Sequence, residues 1–296
     1  MPFVLETYLA DRKRAVEEHL FASLPAAETR PAILVEAMRH AVLSGGKRLR
    51  PILCLAAAEA VGGSAEDARY AATAVELLHT YTLVHDDLPC MDNDLLRRGQ
   101  PTVHARYGEA IAVLTGDALQ TLAFEMLANT PERRPGTVAR LVKELAAVVG
   151  FAGVIGGQVE DIRFAAAPTR DVIDFVFQHK TADLFKAACR LGALAAGGDE
   201  DAVDKLSRFA DALGFAFQII DDLLDAPSAS CRRGAGTLLP RGDVRRRGAR
   251  LGAQPHGASG RGARRSAGRN RAARSASQPS THTYHLARAQ PATQVN

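Results

Sequence analysis

The stretch that decides the fold reads AATAVELLHTYTLVHDD and covers residues 71–87. It is rich in Ala and Leu, and its apolar residues recur at spacings of three and four, which is typical of an α-helix. A second stretch of this kind, RFADALGFAFQIIDDLLD, covers residues 208–225. Each pattern runs into a pair of adjacent aspartates, so the sequence predicts carboxylates at the ends of apolar helices.

The rest of residues 1–226 also has a helical pattern, and strand-like alternation is nearly absent. Glycine and proline breaks separate the segments at Gly45-Gly46, Gly62-Gly63, Pro101, 131–136, 165–168 and Gly197-Gly198. Several segments are apolar nearly all round, as helices inside a bundle are. The sequence therefore predicts one all-α domain, 1–226, built as a bundle of about ten helices.

Residues 227–296 have a different composition. They contain 14 Arg, one Asp and no Lys, Glu, Phe, Ile or Met. Such a segment cannot bury enough apolar surface to offset its ordering entropy, and we expect it to be disordered. Although the segment is basic, its only aromatic residue is Tyr284 and it has no regular helical pattern, so no nucleic-acid partner is expected.

The cysteines and the apolar stretches limit the cellular location. The four cysteines form no CxxC pair and no metal-ligand spacing, which favours a reducing compartment. The N-terminus lacks a basic segment followed by an apolar one, unlike a secretory signal. The longest uncharged stretch, 145–159, contains four glycines and is too short for a membrane span. We expect a cytoplasmic protein without a membrane span.

Two acidic clusters follow the apolar helices. They consist of Asp86, Asp87 and Asp92 and of Asp221, Asp222 and Asp225. Like charges one helical turn apart repel, and this is tolerated mainly where a cation binds between them. Carboxylate oxygens suit Mg²⁺, which usually bridges to phosphate. The sequence predicts Mg²⁺ binding, with an ordinary acidic surface as the alternative for either cluster alone.

Basic residues at three other places fit a phosphate ligand. Lys47 and Arg50 follow the glycine pair in GGKRLRP, Arg97 and Arg98 follow the first acidic cluster, and Lys180 lies in QHKTADLF. Each could be a solvated surface charge. Their joint occurrence with two acidic clusters predicts two diphosphates, one held through a metal and one held directly by Arg and Lys.

These motifs resemble those of the short-chain trans-isoprenyl diphosphate synthases, most closely the bacterial farnesyl type. In chain order the matching motifs are GGKRLRP, LLHTYTLVHDDLPCMDNDLLRRGQPTVH, LTGDAL, GGQVEDI, HKTADLF and GFAFQIIDDLLD. The resemblance implies an all-α isoprenoid synthase-type bundle with a central cavity, usually a homodimer. It implies a prenyltransferase that joins isopentenyl diphosphate to dimethylallyl or geranyl diphosphate with the help of Mg²⁺.

The resemblance also implies residue roles by position. Both aspartate motifs would hold Mg²⁺ on the allylic diphosphate. That substrate would also contact Arg97, Lys180, Thr181 and Gln218. Isopentenyl diphosphate would be held by Gly46, Lys47, Arg50, His79 and Arg98. His79 could equally be an ordinary core histidine.

Product length is predicted from Tyr81 and its neighbour Thr82. Tyr81 lies five positions before Asp86, roughly 7.5 Å along a helix, where a growing chain would meet its ring. In the family an aromatic residue there, with two extra residues before the last aspartate of the first motif, goes with a C15 product. The prediction is therefore a farnesyl diphosphate synthase. A geranylgeranyl (C20) or geranyl (C10) synthase is the alternative, and a terpene cyclase is less favoured because GGKRLRP and Arg98 imply a second diphosphate.

One departure from the family concerns the segment after the second aspartate motif. Family members continue with a further Lys-containing segment and several helices, whereas this chain has no Lys beyond Lys205. A GC-rich gene read out of frame would give a replacement of this composition. An inactive homologue is thus a further alternative.

Overall fold

This computed structural model describes residues 3–164 and 169–225, except for the side chains of 218, 219 and 221–225. Helices account for nearly all regular structure in these residues. The helices are α1 Leu5–Ser23, α2 Ala32–Leu43, α3 Leu49–Ala60, α4 Arg69–Asp86, α5 Val103–Tyr107, α6 Glu109–Ala128, α7 Thr137–Val149, α8 Val154–Phe164, α9 Arg170–Val176, α10 Asp183–Ala195 and α11 Glu200–Asp225. A 3-10 helix, Ala65–Ala68, precedes α4, and a π-helical turn, Phe177–Ala182, joins α9 to α10.

Helix α4 forms the middle of the bundle and contacts α6, α3, α10 and α1. Most of its residues are buried, because apolar side chains occur on nearly all of its faces. Ser64 and Asp67 form a reciprocal capping box at the 3-10 helix that leads into α4. At the other end the chain folds back, and the Asp92 amide donates to the Asp86 carbonyl over 2.8 Å. The first aspartate motif therefore lies at the C-terminal end of the central helix.

Helices α3 and α10 pack closely on one another beside α4. Gly192 of α10 lies directly against the backbone carbonyl of Cys54 in α3, where a Cβ atom would collide with that oxygen. Both neighbouring cysteine side chains, Cys54 and Cys189, are buried free thiols. Helix α11 then packs along α10 and the π-helical turn.

The described residues contain one small β-hairpin, with strands β1 Leu96–Arg97 and β2 Gln100–Pro101. Arg98 and Gly99 form its two-residue loop and have φ angles of 53° and 77°. Positive φ at both loop positions is the geometry that matches the twist of paired strands. Arg97 therefore belongs to strand β1, and Arg98 belongs to the loop that follows it.

The predicted all-α bundle is confirmed, and the hairpin and the π-helical turn are the additions that the sequence did not indicate. The hairpin was missed because its loop has Arg at the first positive-φ position in place of the more usual Asn or Asp. The predicted disorder of 227–296 lies outside the described residues. The domain limits 1–226 remain a prediction.

Within the described residues, α6 is the one helix long and apolar enough to cross a bilayer by length and composition. An 18-residue window in it has a mean hydropathy of 1.3, and 44% of that window is buried in the bundle. Because α6 packs along α4, and because buried core helices have the same composition, this is weak evidence for a membrane span.

Candidate functional site

Two cavities lie on either side of the C-terminal half of α4. One has a volume of about 510 Å³ and a mostly basic lining, and we call it the basic pocket. The other, the central cavity, has a volume of about 550 Å³ and a largely apolar lining. Both are lined by Arg50 and His79, so the cavities meet at these two side chains.

The basic pocket is built on the turn between α2 and α3. Its lining is Ser44, Gly46, Lys47, Arg48, Leu49, Arg50, Glu76, His79, Arg98 and Phe217. The Arg98 guanidinium donates to the Gly45 carbonyl and lies so close to Gly46 that a Cβ there would be 2.7 Å from Nη1. A residue with a side chain at position 46 would therefore displace Arg98. Gly46 is required for this approach.

The charge of the basic pocket comes from its arginines and Lys47. Burial lowers the pKa of His79 well below its usual range, and the Arg50 and Arg98 guanidinium groups lower it further. His79 is therefore neutral at pH 7, and its Nε2 lies 3.4 Å from Arg50 Nη1. Because the imidazole is uncharged, an anion in this pocket would be bound mainly by guanidinium and ammonium groups.

The hairpin directs its two arginines to different places. Arg97 Nε donates to Asp87 Oδ1 over 2.7 Å, and its Nη2 lies 3.2 Å from Asp94 Oδ2. Arg98 lines the basic pocket instead. The loop geometry makes this possible, because Arg97 pairs with Gln100 in the hairpin whereas Arg98 is the first residue of the loop between them. One arginine therefore contacts the first aspartate motif, and the other lines the basic pocket.

Asp86 is the carboxylate of the first motif that lines the central cavity. Burial raises its pKa to about 6, the positive charge of Lys180 opposes this rise, and Asp92 adds to it. Asp87 is 3% exposed and is held by Arg97. Asp86 and Asp92 thus remain as the carboxylates of this motif that lie near Lys180 and could bind a cation.

Tyr81 and helix α8 give the central cavity its apolar lining. Tyr81 is 6% exposed, and its ring meets the His85 ring edge to face with centroids 5.4 Å apart. The His85 imidazole can occupy this position because residue 116 is a glycine, and a Cβ atom there would collide with the ring. Val154, Ile155, Val159 and Ile162 of α8 complete the lining on that side. The carbon chain of a ligand bound at Asp86 would be in apolar surroundings.

The π-helical turn brings Lys180 and Thr181 into the central cavity. Lys180 Nζ donates to Asp161 Oδ2 of α8 over 2.6 Å. Gly157 lies against the Lys180 backbone nitrogen, where a Cβ would be 2.6 Å away, and Gly214 lies against Ala182 in the same manner. Single π-helical turns inside helices occur frequently at functional sites. Two glycines on other helices therefore make room for this turn.

The structure brings most of the predicted site residues together around α4. The two cavities contain Gly46, Lys47, Arg50, His79, Tyr81, Thr82, Asp86, Arg98, Lys180 and Thr181. Asp87, Asp92 and Arg97 lie beside them in the turn and hairpin after α4. Asp221, Asp222, Asp225 and Gln218 belong to α11, and their side chains lie outside the described residues. Their predicted roles stay predictions.

The described side chains do not by themselves form a metal site. No group of three or more His, Cys, Asp or Glu among them is arranged to hold a metal ion. Asp86 and Asp92 nevertheless offer carboxylate oxygens, and Asp86 is at the cavity. Mg²⁺ is commonly bound by one or two carboxylates together with waters and substrate phosphates. The donors present therefore fit a Mg²⁺ ion that is bound together with a diphosphate.

Some residues of the site were not identified from the sequence. Asp161 lies in the quoted GGQVEDI motif, but its contact with Lys180 depends on the packing of α8. His85 directly precedes Asp86, and its contact with Gly116 depends on α6. Arg48 and Glu76 form a buried ion pair in the lining of the basic pocket. A carboxylate in an otherwise apolar helix was the available signal for Glu76, since such a group needs a partner.

The raised pKa of Asp86 predicts a pH-dependent loss of stability. Since the carboxyl pKa is higher in the folded state, ionisation of Asp86 destabilises the metal-free protein. The penalty is absent below about pH 3.8, grows as the pH rises, and is complete above about pH 6. Asp86→Asn should therefore raise the free energy of unfolding by about 1–2 kcal/mol at pH 7.5, after discounting for solvent screening.

Thermal unfolding of the metal-free proteins at pH 4 and pH 7.5 measures this effect. The gain of Asp86→Asn should be larger at pH 7.5, and Asp201→Asn on the surface of α11 is the control. Equal stability of wild type and Asp86→Asn at pH 7.5 would show that the Asp86 carboxylate is well solvated.

Comparison with known proteins identifies the family of this chain. The chain belongs to the polyprenyl synthetase family, whose pattern matches residues 31–236. A protein of Capsicum annuum named geranylgeranyl pyrophosphate synthase, chloroplastic, is 46% identical over 236 residues. That match covers 77% of this chain and 62% of the pepper protein, so the chain spans less than two thirds of that relative's length.

Two solved structures are similar in fold and sequence. A Zymomonas mobilis FPP/GFPP synthase has a TM-score of 0.74 at 38% identity, covering 83% of this chain and 89% of the other. A geranyltransferase of Helicobacter pylori has a TM-score of 0.75 at 35% identity, with coverages of 85% and 89%.

Proposed function

We propose that this protein is a prenyltransferase that joins isopentenyl diphosphate to an allylic diphosphate. The observation that carries the proposal is the pair of cavities that meet at Arg50 and His79. The basic pocket suits a diphosphate bound directly by arginine and lysine. The central cavity combines Asp86 and Lys180 with a largely apolar lining, which suits an allylic diphosphate with its hydrocarbon chain.

In the proposed reaction the allylic C–O bond breaks and leaves a diphosphate anion and an allylic cation. Mg²⁺, held by Asp86 and Asp92 when bound, would neutralise the charge that develops on the departing oxygens. Lys180 lies near both carboxylates and would bind the same diphosphate. The predicted second aspartate motif, Asp221, Asp222 and Asp225, would complete the metal site.

The isopentenyl double bond would then attack the allylic cation. Lys47, Arg50 and Arg98 would hold the isopentenyl diphosphate in the basic pocket, so that its carbon end faces the junction at His79. The apolar side chains of α8 would contact the hydrocarbon chain of the allylic substrate. Loss of a proton to the departing diphosphate completes the condensation, and no covalent bond to the protein forms.

The sequence and the names of the relatives favour different product lengths. The sequence predicts a C15 product because of Tyr81, whereas the name of the pepper relative favours the C20 alternative. The names of the two solved structures do not decide between these lengths. We therefore propose a synthase of C20 or C15 diphosphates, with the C20 product better supported by the curated relatives.

Chromatography of the products tests this proposal. The purified protein is incubated with labelled isopentenyl diphosphate, Mg²⁺ and either dimethylallyl, geranyl or farnesyl diphosphate. A C20 synthase should extend all three allylic substrates, whereas a C15 synthase should stop before extending farnesyl diphosphate. Failure to extend any of them would reject the proposed function.

Replacement of Tyr81 should lengthen the product. Tyr81→Ala removes a buried ring from the lining of the central cavity, and at least half of the product should then be one or more C5 units longer than in wild type. Tyr81→Phe is the matched control, because it keeps the ring in the cavity and removes only the hydroxyl. An unchanged product length in Tyr81→Ala would show that the ring serves only to pack the core.

The remaining assignments follow from the resemblance for the homodimer and from the sequence composition for the location and the lack of a nucleic-acid partner. We propose a homodimer in the cytoplasm that binds no nucleic acid. The pepper relative is named as chloroplastic, and this location is not transferred to the present chain. Size-exclusion chromatography with light scattering tests the oligomeric state.

A further inference from the structure

A fully buried ion pair lies in the wall of the basic pocket, and neither of its two residues is assigned to substrate binding. Arg48 Nη1 donates to Glu76 Oε1 over 2.6 Å, and both side chains are 2% exposed. Arg48 Nη2 donates to the Val42 carbonyl at the end of α2 over 2.6 Å. The Arg48 side chain thus links α2 and α4 through two hydrogen bonds.

The pair lies where the chain changes direction between α2 and α3. Arg48 has a φ angle of 53°, a conformation that is uncommon for a residue with a side chain and that persists only when its surroundings hold it. The preceding residues, Gly46 and Lys47, form one wall of the basic pocket. Glu76 thus contacts the side chain of the residue that directly follows Lys47.

The same pair also connects the pocket wall to the substrate-binding face of α4. Glu76 lies one helical turn before His79 on α4, so a displacement of Arg48 would shift the side chains of both residues. Among the described residues that line the basic pocket, Glu76 is the one carboxylate. The charge of Glu76 is neutralised by Arg48, so Glu76 does not repel a bound anion. The guanidinium of Arg48 is in turn occupied by its two acceptors, Glu76 and the Val42 carbonyl.

We propose that Arg48 and Glu76 are positioning residues for the diphosphate in the basic pocket. They hold the turn 45–47 so that Lys47 and Arg98, which donates to the Gly45 carbonyl, converge on one anion. This inference rests on the proposed function only for the identity of the anion as isopentenyl diphosphate.

The test is a comparison of Glu76→Gln with a matched control. Glu76→Gln keeps the shape of the side chain and its carbonyl acceptor but removes the charge that holds Arg48. Glu144→Gln removes the charge from the Arg190 ion pair between α7 and α10, which lines neither cavity. Circular dichroism and thermal unfolding establish that the variants are folded.

Two measurements, steady-state kinetics and diphosphate binding, distinguish a positioning role from a general loss of stability. In Glu76→Gln, the KM for isopentenyl diphosphate should rise about tenfold, while the KM for the allylic substrate and kcat change less than threefold. Binding of inorganic diphosphate without Mg²⁺, measured by calorimetry, should weaken by the same factor. Glu76→Asp should restore at least part of the lost affinity. Glu144→Gln should leave both KM values, kcat and the affinity for diphosphate unchanged.

Several outcomes would overturn the inference. Unchanged diphosphate binding in Glu76→Gln, an equal rise in both KM values, or the same change in Glu144→Gln would each show that the pair is merely structural. If Glu76→Gln does not fold, Arg48→Lys, which keeps the charge but cannot reach both acceptors, replaces it with the same expected changes. If wild type binds diphosphate and Glu76→Gln does not, but wild type forms no prenyl product, then the proposed function fails while the positioning role stands.

Discussion

Asp86→Ala is expected to lower the turnover number of the condensation by about 10³-fold, which is the scale of losing an electrostatic contact to a developing charge. Asp86 is the carboxylate of the first motif that lines the central cavity, and burial already raises its pKa to about 6. Binding of a cation there would compensate for this unfavourable burial. The variant should therefore lose Mg²⁺-dependent activity without losing its helices.

Steady-state kinetics at several Mg²⁺ concentrations measures the loss, and circular dichroism confirms the fold. Asp201→Asn, at an exposed ion pair with Lys205 on α11, is the control and should keep wild-type turnover. Turnover within threefold of wild type in Asp86→Ala would mean that the first motif does not hold the metal.

The second large effect concerns the fold. Gly192→Ala should lower the free energy of unfolding by about 3 kcal/mol, because the new Cβ would overlap the Cys54 carbonyl oxygen and the backbone of α3 cannot move aside locally. The midpoint of thermal unfolding should fall by roughly 8 °C. Helix propensity alone predicts the opposite sign, since alanine stabilises a helix relative to glycine by about 1 kcal/mol.

Ala212→Gly supplies the comparison for this second prediction, because Ala212 is exposed on α11. It should lose about 1 kcal/mol through helix propensity without any change in packing. A Gly192→Ala protein as stable as wild type would show that α3 and α10 do not pack as closely as described.

The helical bundle and most of the site could be predicted from the sequence, because the apolar periodicity and the charged motifs are both local in the chain. Asp86 follows an apolar helix within a single segment, and Lys47 follows a glycine pair. The separation of Arg97 from Arg98 could not be predicted from spacing, because it depends on positive φ angles in a two-residue loop.

Features that depend on distant residues were not predictable. The π-helical turn at Lys180 requires glycines on α8 and α11, and the Lys180–Asp161 contact joins residues 19 positions apart. Glu76 finds its partner Arg48 28 positions earlier in the chain. Such pairs arise from packing, which a pattern of apolar spacing does not encode.

The measurement that tests the central claim most directly is the formation of prenyl product by the purified chain. Labelled isopentenyl diphosphate is incubated with an allylic diphosphate and Mg²⁺, and the product is extracted and counted. We expect product that requires both substrates and disappears when a chelator removes the metal. Absence of product from a folded chain, or equal product with and without the chelator, would contradict the account.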